Sequence, residues 1–321
     1  MSIRAAMRRH MCSRCGSAQA DVYVPYARQW MCGECFTKFY EARVRKTVEK
    51  YGMLRGRRRV AVAVSGGKDS ASLLYCLKKL YPDVDIVAVH FYGGIGEYSE
   101  DCLRAARELC ESLGVELQVY RLPERDGFSI PDFEGTKYGK RVCATCSMIR
   151  RWALNRMARE VGADVLATGH NLDDTVEVMF SLFVAGDFEE LRRLKPVLPP
   201  EHPSQVWKVK PLVNTPERDN REYARVNKLP VRSVECPYAR EARSTRMKRM
   251  LDEWERRNRN LKFQLYSVFA KKLIPILDNA LPEQPYTTCR ICGGASIGDV
   301  CAVCRRRQYI LEVKGAARAE S

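Results

Sequence analysis

Between residues 60 and 280, the apolar positions follow two periods that alternate along the chain. Short runs rich in β-branched residues are typical of buried strands, whereas apolar residues spaced three and four apart indicate helices packed against them. This alternation predicts an α/β fold in which a parallel sheet carries helices on both faces. The expected strands are 60–64, 86–91, 116–122, 165–168 and 206–212. The expected helices are 99–113, 146–161, 175–184, 217–228, 241–257 and 261–277.

The pattern changes on either side of this region. Residues 41–50 are a charged stretch typical of a linking helix, and Pro282 and Pro285 mark a boundary near the other end. Residues 314–321 are expected to be frayed. We therefore expect three units, which are an N-terminal module (1–40), a central catalytic domain (41–280) and a C-terminal module (281–321).

The chain carries a large excess of positive charge. Its 321 residues include 55 Lys and Arg against 39 Asp and Glu, a formal net charge of +16. The basic residues cluster at 55–59, 240–249, 256–259 and 305–307, which favours a binding face for nucleic acid over simple solubility or a basic host proteome. No apolar run reaches 18 residues and no secretory core opens the chain. We therefore expect no membrane segment and a cytoplasmic location.

The first expected strand ends in a turn suited to binding phosphate. Gly66 and Gly67 let the backbone curl and present its N–H groups. The following helix adds the positive end of its dipole, and Lys68 adds a full charge. The Walker A spacing is absent, and an ordinary Gly-rich turn is the alternative. We call this segment the phosphate loop, and it comprises Ser65, Gly66, Gly67, Lys68, Asp69 and Ser70.

The cysteine content predicts metal sites rather than disulfides, because a cytosolic chain with 14 cysteines is kept reduced. Eight of them form paired Cys-x-x-Cys units near the two ends. Four thiolates in two knuckles match structural, tetrahedral zinc, and unmetallated thiols are the alternative. The N-terminal set is Cys12, Cys15, Cys32 and Cys35, and the C-terminal set is Cys289, Cys292, Cys301 and Cys304.

A fifth Cys-x-x-Cys unit, Cys143 and Cys146, has no second pair. The nearest unassigned cysteine is Cys236. Three thiolates are one too few for structural zinc but enough to hold a [4Fe–4S] cluster with one iron left open. A catalytic disulfide or persulfide pair and a purely structural pair are the alternatives. The remaining cysteines, expected in the core, are Cys76, Cys102 and Cys110.

A second signal follows the fourth expected strand. Gly169 lets the backbone approach a nucleotide closely, and Asp173 and Asp174 open a helix. A carboxylate beside a phosphate site can hold Mg²⁺ or move a proton, while a plain helix cap is the alternative for either aspartate. Ligands of parallel sheets bind at the carboxyl ends of the strands. The phosphate loop, His90 and residues 169–174 are therefore expected to face one site.

Taken together, these motifs resemble the TtuA/TtcA family of PP-loop tRNA thiolation enzymes, which split ATP into AMP and pyrophosphate. The resemblance rests on the phosphate loop, residues 168–174, the Cys143 and Cys146 unit with the distant Cys236, and the two terminal four-cysteine sets. It covers nearly the whole chain. The zinc sets and the course from residue 189 to residue 212 are similar to the TtuA branch. The resemblance implies a Rossmann-like PP-loop ATPase fold flanked by two zinc modules.

By position, the resemblance implies several cofactors. ATP with Mg²⁺ would lie on the phosphate loop and at Gly169. His90 is expected beside this nucleotide because of its own place at the end of a strand. A [4Fe–4S] cluster would be held by Cys143, Cys146 and Cys236, and the two four-cysteine sets would each hold Zn²⁺.

The resemblance also implies catalytic residues. Asp174 corresponds to a catalytic aspartate, and Lys68 and Asp69 belong to the loop that handles the phosphates. Relatives often have Lys where this chain has Arg150. An arginine stays charged, so we expect it to steady negative charge rather than to exchange a proton.

The implied reaction is tRNA 2-thiouridine synthesis, at the T-loop uridine at position 54. ATP adenylates the C2 oxygen, pyrophosphate leaves, and sulfur transferred through the cluster displaces AMP. A sulfur-carrier protein with a C-terminal thiocarboxylate, or free sulfide, is the implied donor, and a homodimer is left open. The alternatives are wobble-uridine 2-thiolation, a cluster-free PP-loop ligase that forms amides, and a non-catalytic zinc-ribbon RNA-binding protein.

Overall fold

A computed structural model describes residues 10–241, 243–282 and 285–319. Parts of the expected N-terminal module, of the basic run 240–249 and of the C-terminal tail lie outside these ranges. Within them, no helix combines the length and the apolar character needed to cross a bilayer.

The N-terminal module is a small hairpin followed by a long helix. Strands β1 (Val22–Val24) and β2 (Gln29–Met31) pair in antiparallel fashion. Helix α1 (Gly33–Lys50) begins directly after Cys32 and carries Cys35 in its first turn. It continues past residue 40, so one helix connects the module to the central domain.

The central sheet has six strands in the order β5-β4-β3-β6-β8-β7. All neighbours pair in parallel except β7, which pairs antiparallel to β8 at the edge. The predicted parallel sheet is confirmed, with this short edge strand as the exception. The strands are β3 (Arg59–Ala63), β4 (Asp85–Tyr92), β5 (Leu117–Arg121), β6 (Val165–Ala167), β7 (Val197–Leu198) and β8 (Trp207–Val209).

Helices connect the strands and extend beyond them. Gly114 and Gly186 adopt left-handed conformations where α3 and α6 end. A π-helical turn joins α10 to α11. The helices are α2 (Lys68–Leu80), α3 (Gly96–Leu113), α4 (Leu122–Asp126), α5 (Val142–Glu160), α6 (Leu172–Ala185), α7 (Phe188–Arg192), α8 (Glu217–Val226), α9 (Arg243–Arg257), α10 (Leu261–Val268) and α11 (Ile274–Ala280).

The two faces of the sheet pack into different cores because successive strand residues point to opposite sides. Val60 and Val62 of β3 join a core with α1, α2 and α8 that also contains Cys12 of the N-terminal module. Ala61 joins the opposite core, formed largely by α5 and the C-terminal module. A third core lies among α6, α9, α10 and α11. The sheet is thus covered on both sides, as predicted.

The C-terminal module contains β9 (Thr287–Thr288), β10 (Ala295–Ser296) and α12 (Ala302–Ala319). The expectation that residues 314–321 are frayed is wrong as far as residue 319. Lys314 Nζ lies 2.7 Å from Asp132 Oδ2, an ion pair that holds this part of α12 against the central domain. Residues 320–321 lie outside the described ranges.

Candidate active site

The phosphate loop joins the end of β3 to the start of α2, as the sequence predicts. Gly67 precedes α2 and has no side chain to cap it, so the N–H groups of the first turn stay available to an anion. Ser70 closes the loop because its Oγ accepts from the Ser65 N–H and donates to the Gly67 carbonyl, both at 3.0 Å. The loop therefore has a fixed shape before any ligand binds.

Two glycines allow close backbone approaches around this loop. Gly66 has φ +77°, and a Cβ there would lie 2.5 Å from the carbonyl oxygen of Cys102 in α3. A Cβ at Gly169 would lie 3.1 Å from the Ser70 backbone nitrogen. The phosphate loop is consequently packed between α3 and the segment after β6, with no room for a side chain at Gly66.

The two charged residues of the loop have partners from distant parts of the chain. Lys68 Nζ lies 3.0 Å from Asp69 Oδ2 and 2.8 Å from Glu217 Oε1. Burial disfavours the charge of Lys68, but the two carboxylates outweigh it and raise the pKa of this lysine. Asp69 Oδ1 accepts from Asn171 Nδ2 at 3.1 Å and from Asn220 Nδ2 at 2.7 Å. Asp69 thus ties α2 to α6 and α8.

Asp174 lies beside this network at the start of α6. It forms a capping box with Asn171, whose Oδ1 accepts from the Asp174 N–H at 2.9 Å. The Oδ1 atom of Asp174 pairs closely with Lys248 of α9. Lys248 Nζ also lies 3.3 Å from Glu217 Oε2. Burial raises the pKa of Glu217, but Lys68 and Lys248 together lower it to about 2. Asp174 therefore caps the helix, which was the alternative to a catalytic role. It also has a charged partner, Lys248, at the phosphate site.

Sequence reasoning missed Glu217 and Lys248. Glu217 opens α8, where Asp173 Oδ2 accepts its N–H at 2.7 Å, and Lys248 lies on the basic helix α9. In the sequence, a glutamate in a first helical turn and a lysine in a basic run both have ordinary local explanations. Only the fold brings them to the phosphate loop.

Three cysteines outside the two four-cysteine sets, Cys143, Cys146 and Cys236, come together near the start of α5. Cys143 and Cys146 lie one turn apart on α5, and Cys236 packs in the same core as Cys146. The Cys143 thiol donates to the carbonyl of Tyr238, two residues after Cys236, at 3.1 Å. Among the described residues, these sulfurs do not form a group as tight as the two four-cysteine sets. A wider spacing suits an iron–sulfur cluster, which is larger than a single ion.

A small cavity lies between Ser65 of the phosphate loop and Cys146. Its volume is about 40 Å³, and its lining includes Ser65, His90, Cys102, Cys146 and Arg150. Cys102 is buried in the core, as expected, and it also lines this cavity. Arg150 Nη2 lies 3.5 Å from Cys146 Sγ. Burial raises the pKa of Cys146, and Arg150 opposes that shift.

His90 lies on β4 and is 1% exposed. Its Nδ1 lies 2.7 Å from the Val64 carbonyl, so this nitrogen carries the proton, while the buried Nε2 has no hydrogen-bond partner among the residues that the structure describes. Burial lowers the pKa of His90 to about 4, which keeps the ring neutral. A buried acceptor at the edge of a cavity suits a ligand that supplies an N–H or O–H group.

Both four-cysteine sets have the geometry of single-ion sites. Within each set, all four sulfurs lie within 4.8 Å of one another. A tetrahedral site with Zn–S bonds of about 2.3 Å places its sulfurs about 3.8 Å apart. The distance is 4.0 Å between Cys15 and Cys32 and 3.8 Å between Cys292 and Cys301. Hydrogen bonds from Ser17 lower the pKa of Cys15 to about 6, which favours the thiolate that zinc requires.

Two family models match the chain. The PP-loop domain matches residues 37–251, and the N-terminal LIM domain of the 2-thiouridine synthetase TtuA matches residues 12–37. The first match spans more than half of the chain and contains the strand, phosphate loop and helix described above. The protein is therefore a PP-loop protein.

Individual relatives narrow this class. The chain is 35% identical over 294 residues to the tRNA-5-methyluridine(54) 2-sulfurtransferase of Pyrococcus horikoshii, with 92% of each protein covered. It is 34% identical to the protein of the same name from Thermus thermophilus, with 92% of this chain and 90% of the relative covered. The chain belongs to this TtuA-type family of tRNA sulfurtransferases, as its motifs predict.

A solved structure supports the same assignment. The U34-tRNA thiolase NcsA from Methanococcus maripaludis, determined with its [4Fe-4S] cluster, matches with a TM-score of 0.78 at 29% identity. The match covers 94% of this chain and 96% of NcsA. The similarity therefore includes the terminal modules as well as the PP-loop domain.

Proposed function

We propose that this protein is a tRNA 2-thiouridine synthetase that uses ATP to activate the C2 oxygen of a uridine and then replaces that oxygen with sulfur. The observation that carries the proposal is the cavity shared by the phosphate loop and Cys146. Activation and sulfur attack occur at the same carbon, so the nucleotide site and the sulfur site must adjoin. A cluster-free ligase that forms amides would not need the three cysteines at this position.

The nucleotide fits the phosphate loop. The uncapped first turn of α2 and the Ser65 hydroxyl offer donors to the phosphates, and the Nε2 of His90 accepts from the nucleotide. The uridine oxygen attacks the α-phosphorus, and Lys68 stabilises the charge of the departing pyrophosphate. Bound Mg²⁺ would supply further charge stabilisation there. Oxygen linked to AMP is a good leaving group, whereas the free C2 oxygen is a poor one.

The two aspartates have different roles in this proposal. Asp69 accepts hydrogen bonds from the side-chain amides of two asparagines and forms an ion pair with Lys68. It therefore positions the loop rather than taking part in the reaction. Asp174 keeps one oxygen in the capping box and offers the other to Lys248, where Mg²⁺ or a proton can compete for it. Asp174 is therefore the better candidate for metal binding or proton transfer.

The cysteine triad fits a [4Fe–4S] cluster. Cys143, Cys146 and Cys236 come from two chain segments that meet beside the cavity, and they supply three thiolates. These three cysteines would hold three of the irons, and the fourth iron would offer an open position for sulfur. Arg150 stays charged beside Cys146 and stabilises the negative charge of thiolates and of the departing AMP.

A basic groove is the proposed tRNA surface. It lies between the outer face of α5 and the C-terminal module, has a volume of about 1,220 Å³ and contains Trp152 among its lining residues. Guanidinium and ammonium groups there would bind phosphates, and the indole offers a stacking surface for a base. The basic residues that line it are Arg151, Arg156, Arg159, Lys208, Arg305 and Arg307.

Several further features belong to the proposal. The sulfur donor is a carrier protein with a C-terminal thiocarboxylate, or free sulfide. The enzyme works in the cytoplasm. A homodimer is compatible with this function. The zinc modules are residues 1–40 and 281–321, and residues 41–280 form the catalytic domain. Zinc in the two terminal modules is structural, because four protein thiolates leave no open coordination position.

The modified uridine is proposed to be the T-loop uridine at position 54. The relatives with 34–35% identity are named for that position, and the match to the TtuA N-terminal domain supports the same branch. Wobble uridine 34 is the second candidate, because the thiolase NcsA, which is named for that position, matches nearly the whole chain.

The experiment is anaerobic thiolation of unmodified tRNA by the purified, reconstituted protein with ATP, Mg²⁺ and sulfide. Nuclease digestion followed by mass spectrometry maps the 2-thiouridine. We expect thiolation at position 54, with one AMP formed for each sulfur inserted. Thiolation at position 34 would select the second candidate, and the absence of iron together with normal AMP formation would support the cluster-free ligase.

Cysteine variants sharpen this experiment. Cys236→Ser is expected to lose iron and thiolation while keeping both zinc ions and nucleotide binding. Cys110→Ser is the matched control, because Cys110 is equally a free cysteine but is buried in the core on the opposite face of the sheet. A complete cluster and normal thiolation in Cys236→Ser would refute the three-cysteine assignment.

A further inference from the structure

The segment that carries Cys236 lies directly over the phosphate loop. We call residues 232–238 the Cys236 strap. Residues 232–236 form neither helix nor strand, and a short 3-10 helix begins at Pro237. The Arg232 N–H donates to the Gly66 carbonyl at 2.7 Å, so the strap makes a backbone contact with the nucleotide loop four residues before Cys236. Without fixed secondary structure, the position of Cys236 depends on such contacts.

The strongest of these contacts come from Asp101 of α3, which is 8% exposed. One oxygen, Oδ2, accepts from the Ser233 N–H at 2.6 Å, the Ser233 hydroxyl at 3.1 Å and the Val234 N–H at 2.7 Å. The other oxygen pairs with Arg104. The Val234 N–H is the largest cause of a strongly lowered pKa for Asp101, so the carboxylate stays ionised and its hydrogen bonds are charge-assisted.

The far end of the strap is fixed separately. The Tyr238 hydroxyl donates to Glu134, and the Tyr238 carbonyl accepts from the Cys143 thiol. Cys236 therefore lies between two attachment points. The second one uses Cys143 itself, which cannot donate this hydrogen bond as a metal-bound thiolate. Once Cys143 binds iron, Asp101 becomes the more important anchor.

Helix α3 also supports the phosphate loop. The backbone of Cys102, the residue next to Asp101, fills the space beside Gly66. The same turn of α3 thus contacts both the nucleotide loop and the strap. The partners of Asp101 on the strap lie 132 and 133 residues away in sequence, so these bonds contribute to the placement of the strap and not to the formation of α3.

We propose that Asp101 is a positioning residue that holds Cys236 within reach of Cys143 and Cys146 and keeps it in register with the phosphate loop. This inference rests on the proposed assignment of the cluster to the three cysteines. Loss of Asp101 frees the two N–H groups of the strap and weakens the contact between Arg232 and Gly66. Cluster binding and nucleotide binding should then both suffer, although Asp101 lies in neither coordination shell.

The test compares Asp101→Ala and Asp101→Asn with Glu108→Gln. Glu108 lies on the same helix and pairs with the same Arg104, at 2.9 Å, but it is an exposed residue without a contact to the strap in the described structure. Three readouts are taken on each protein. They are iron and zinc per chain with the electron paramagnetic resonance signal of the reduced cluster, hydrogen exchange across residues 232–238 in zinc-bound, iron-free protein, and affinity for a non-hydrolysable ATP analogue.

We expect Asp101→Ala to retain two zinc ions, to lose at least half of its iron and to exchange the Ser233 and Val234 amides at least tenfold faster. Asp101→Asn should be intermediate, because it keeps an acceptor without the charge, and Glu108→Gln should match wild type. If Asp101→Ala fails to fold, Asp101→Asn carries the test.

Two failures are distinguishable. Wild-type protein that binds no iron would refute the proposed cluster and, with it, this role of Asp101. Wild-type iron content, cluster signal and strap exchange in both Asp101 variants would overturn the inference and leave the proposed function intact.

Discussion

Gly66→Ala is the most stringent test of the close packing around the phosphate loop. Gly66 has φ +77°, and an alanine in this left-handed conformation should lower the free energy of unfolding by about 1–2 kcal/mol. Its Cβ would lie 2.5 Å from Cys102 O and 2.7 Å from Cys102 Cα, whereas ordinary contact begins at 3.4 Å, so the loop or α3 must shift by 3.4 − 2.5 = 0.9 Å. Both atoms belong to the backbone, and overpacking of this kind adds about 1–3 kcal/mol.

The functional effect should be about as large as the effect on stability. A shift of about 1 Å misaligns the donors that hold the phosphates, which corresponds to a roughly hundredfold loss of turnover. The same shift moves Cys102 and hence its neighbour Asp101, so iron content should fall as well.

Gly114→Ala is the matched control. Gly114 also has positive φ (+58°), but a Cβ there has no atom within 4 Å. This variant should lose only the conformational part, about 1–2 kcal/mol, and keep full activity. The assays are urea unfolding of both variants, nucleotide affinity and single-turnover AMP release. Equal destabilisation of the two variants with unchanged nucleotide affinity in Gly66→Ala would refute the reasoning.

Two further predictions concern charged groups. Lys248→Met leaves Asp174 and Glu217 without their shared cation, so binding of an ATP analogue in EDTA should weaken about tenfold while binding with Mg²⁺ changes less. Titration calorimetry with and without Mg²⁺ checks this, and Arg257→Met on the exposed side of α9 is the control. Burial raises the pKa of Asp219 to about 6 in the folded protein, above the pKa of an aspartate in the unfolded chain. The folded state therefore binds a proton that the unfolded state has already released, and this stabilises the fold at low pH. As the pH rises from 5 to 7 the proton is lost, and the free energy of unfolding should fall by about 1 kcal/mol. Denaturation at both pH values should find this loss in the wild type and not in Asp219→Asn; equal pH dependence would contradict it.

Local patterns were sufficient for the parts of the fold that depend on neighbouring residues. The strand before Ser65, the turn and the helix after it are each specified within about ten residues, and the four-cysteine sets are specified by spacing alone. The parallel order of the sheet followed from alternating strands and helices.

The remaining features depend on contacts between distant residues. Strand β7 has only two residues and exists because it pairs with β8. The end of α12 is predicted to be frayed because the last residues of a chain are poorly ordered unless they are held in place, yet Asp132 holds Lys314 from across the fold. Likewise, Glu217 and Lys248 reach the phosphate loop only through the packing of α8 and α9, which no local pattern encodes.

The placement of the two four-cysteine sets has a consequence for how the enzyme endures oxygen. Cys12 belongs to the core on one face of the sheet, and Cys289, Cys301 and Cys304 belong to the core on the other. Zinc has no redox chemistry, whereas an iron–sulfur cluster is readily destroyed by oxidation. The metal ions in the parts of the molecule that maintain its shape therefore undergo no redox reaction, and in the proposed assignment the cluster is held at the edge of one core by a strap and one helix. Air should bleach this protein without unfolding it, and a bleached molecule should accept new iron and sulfide and resume work.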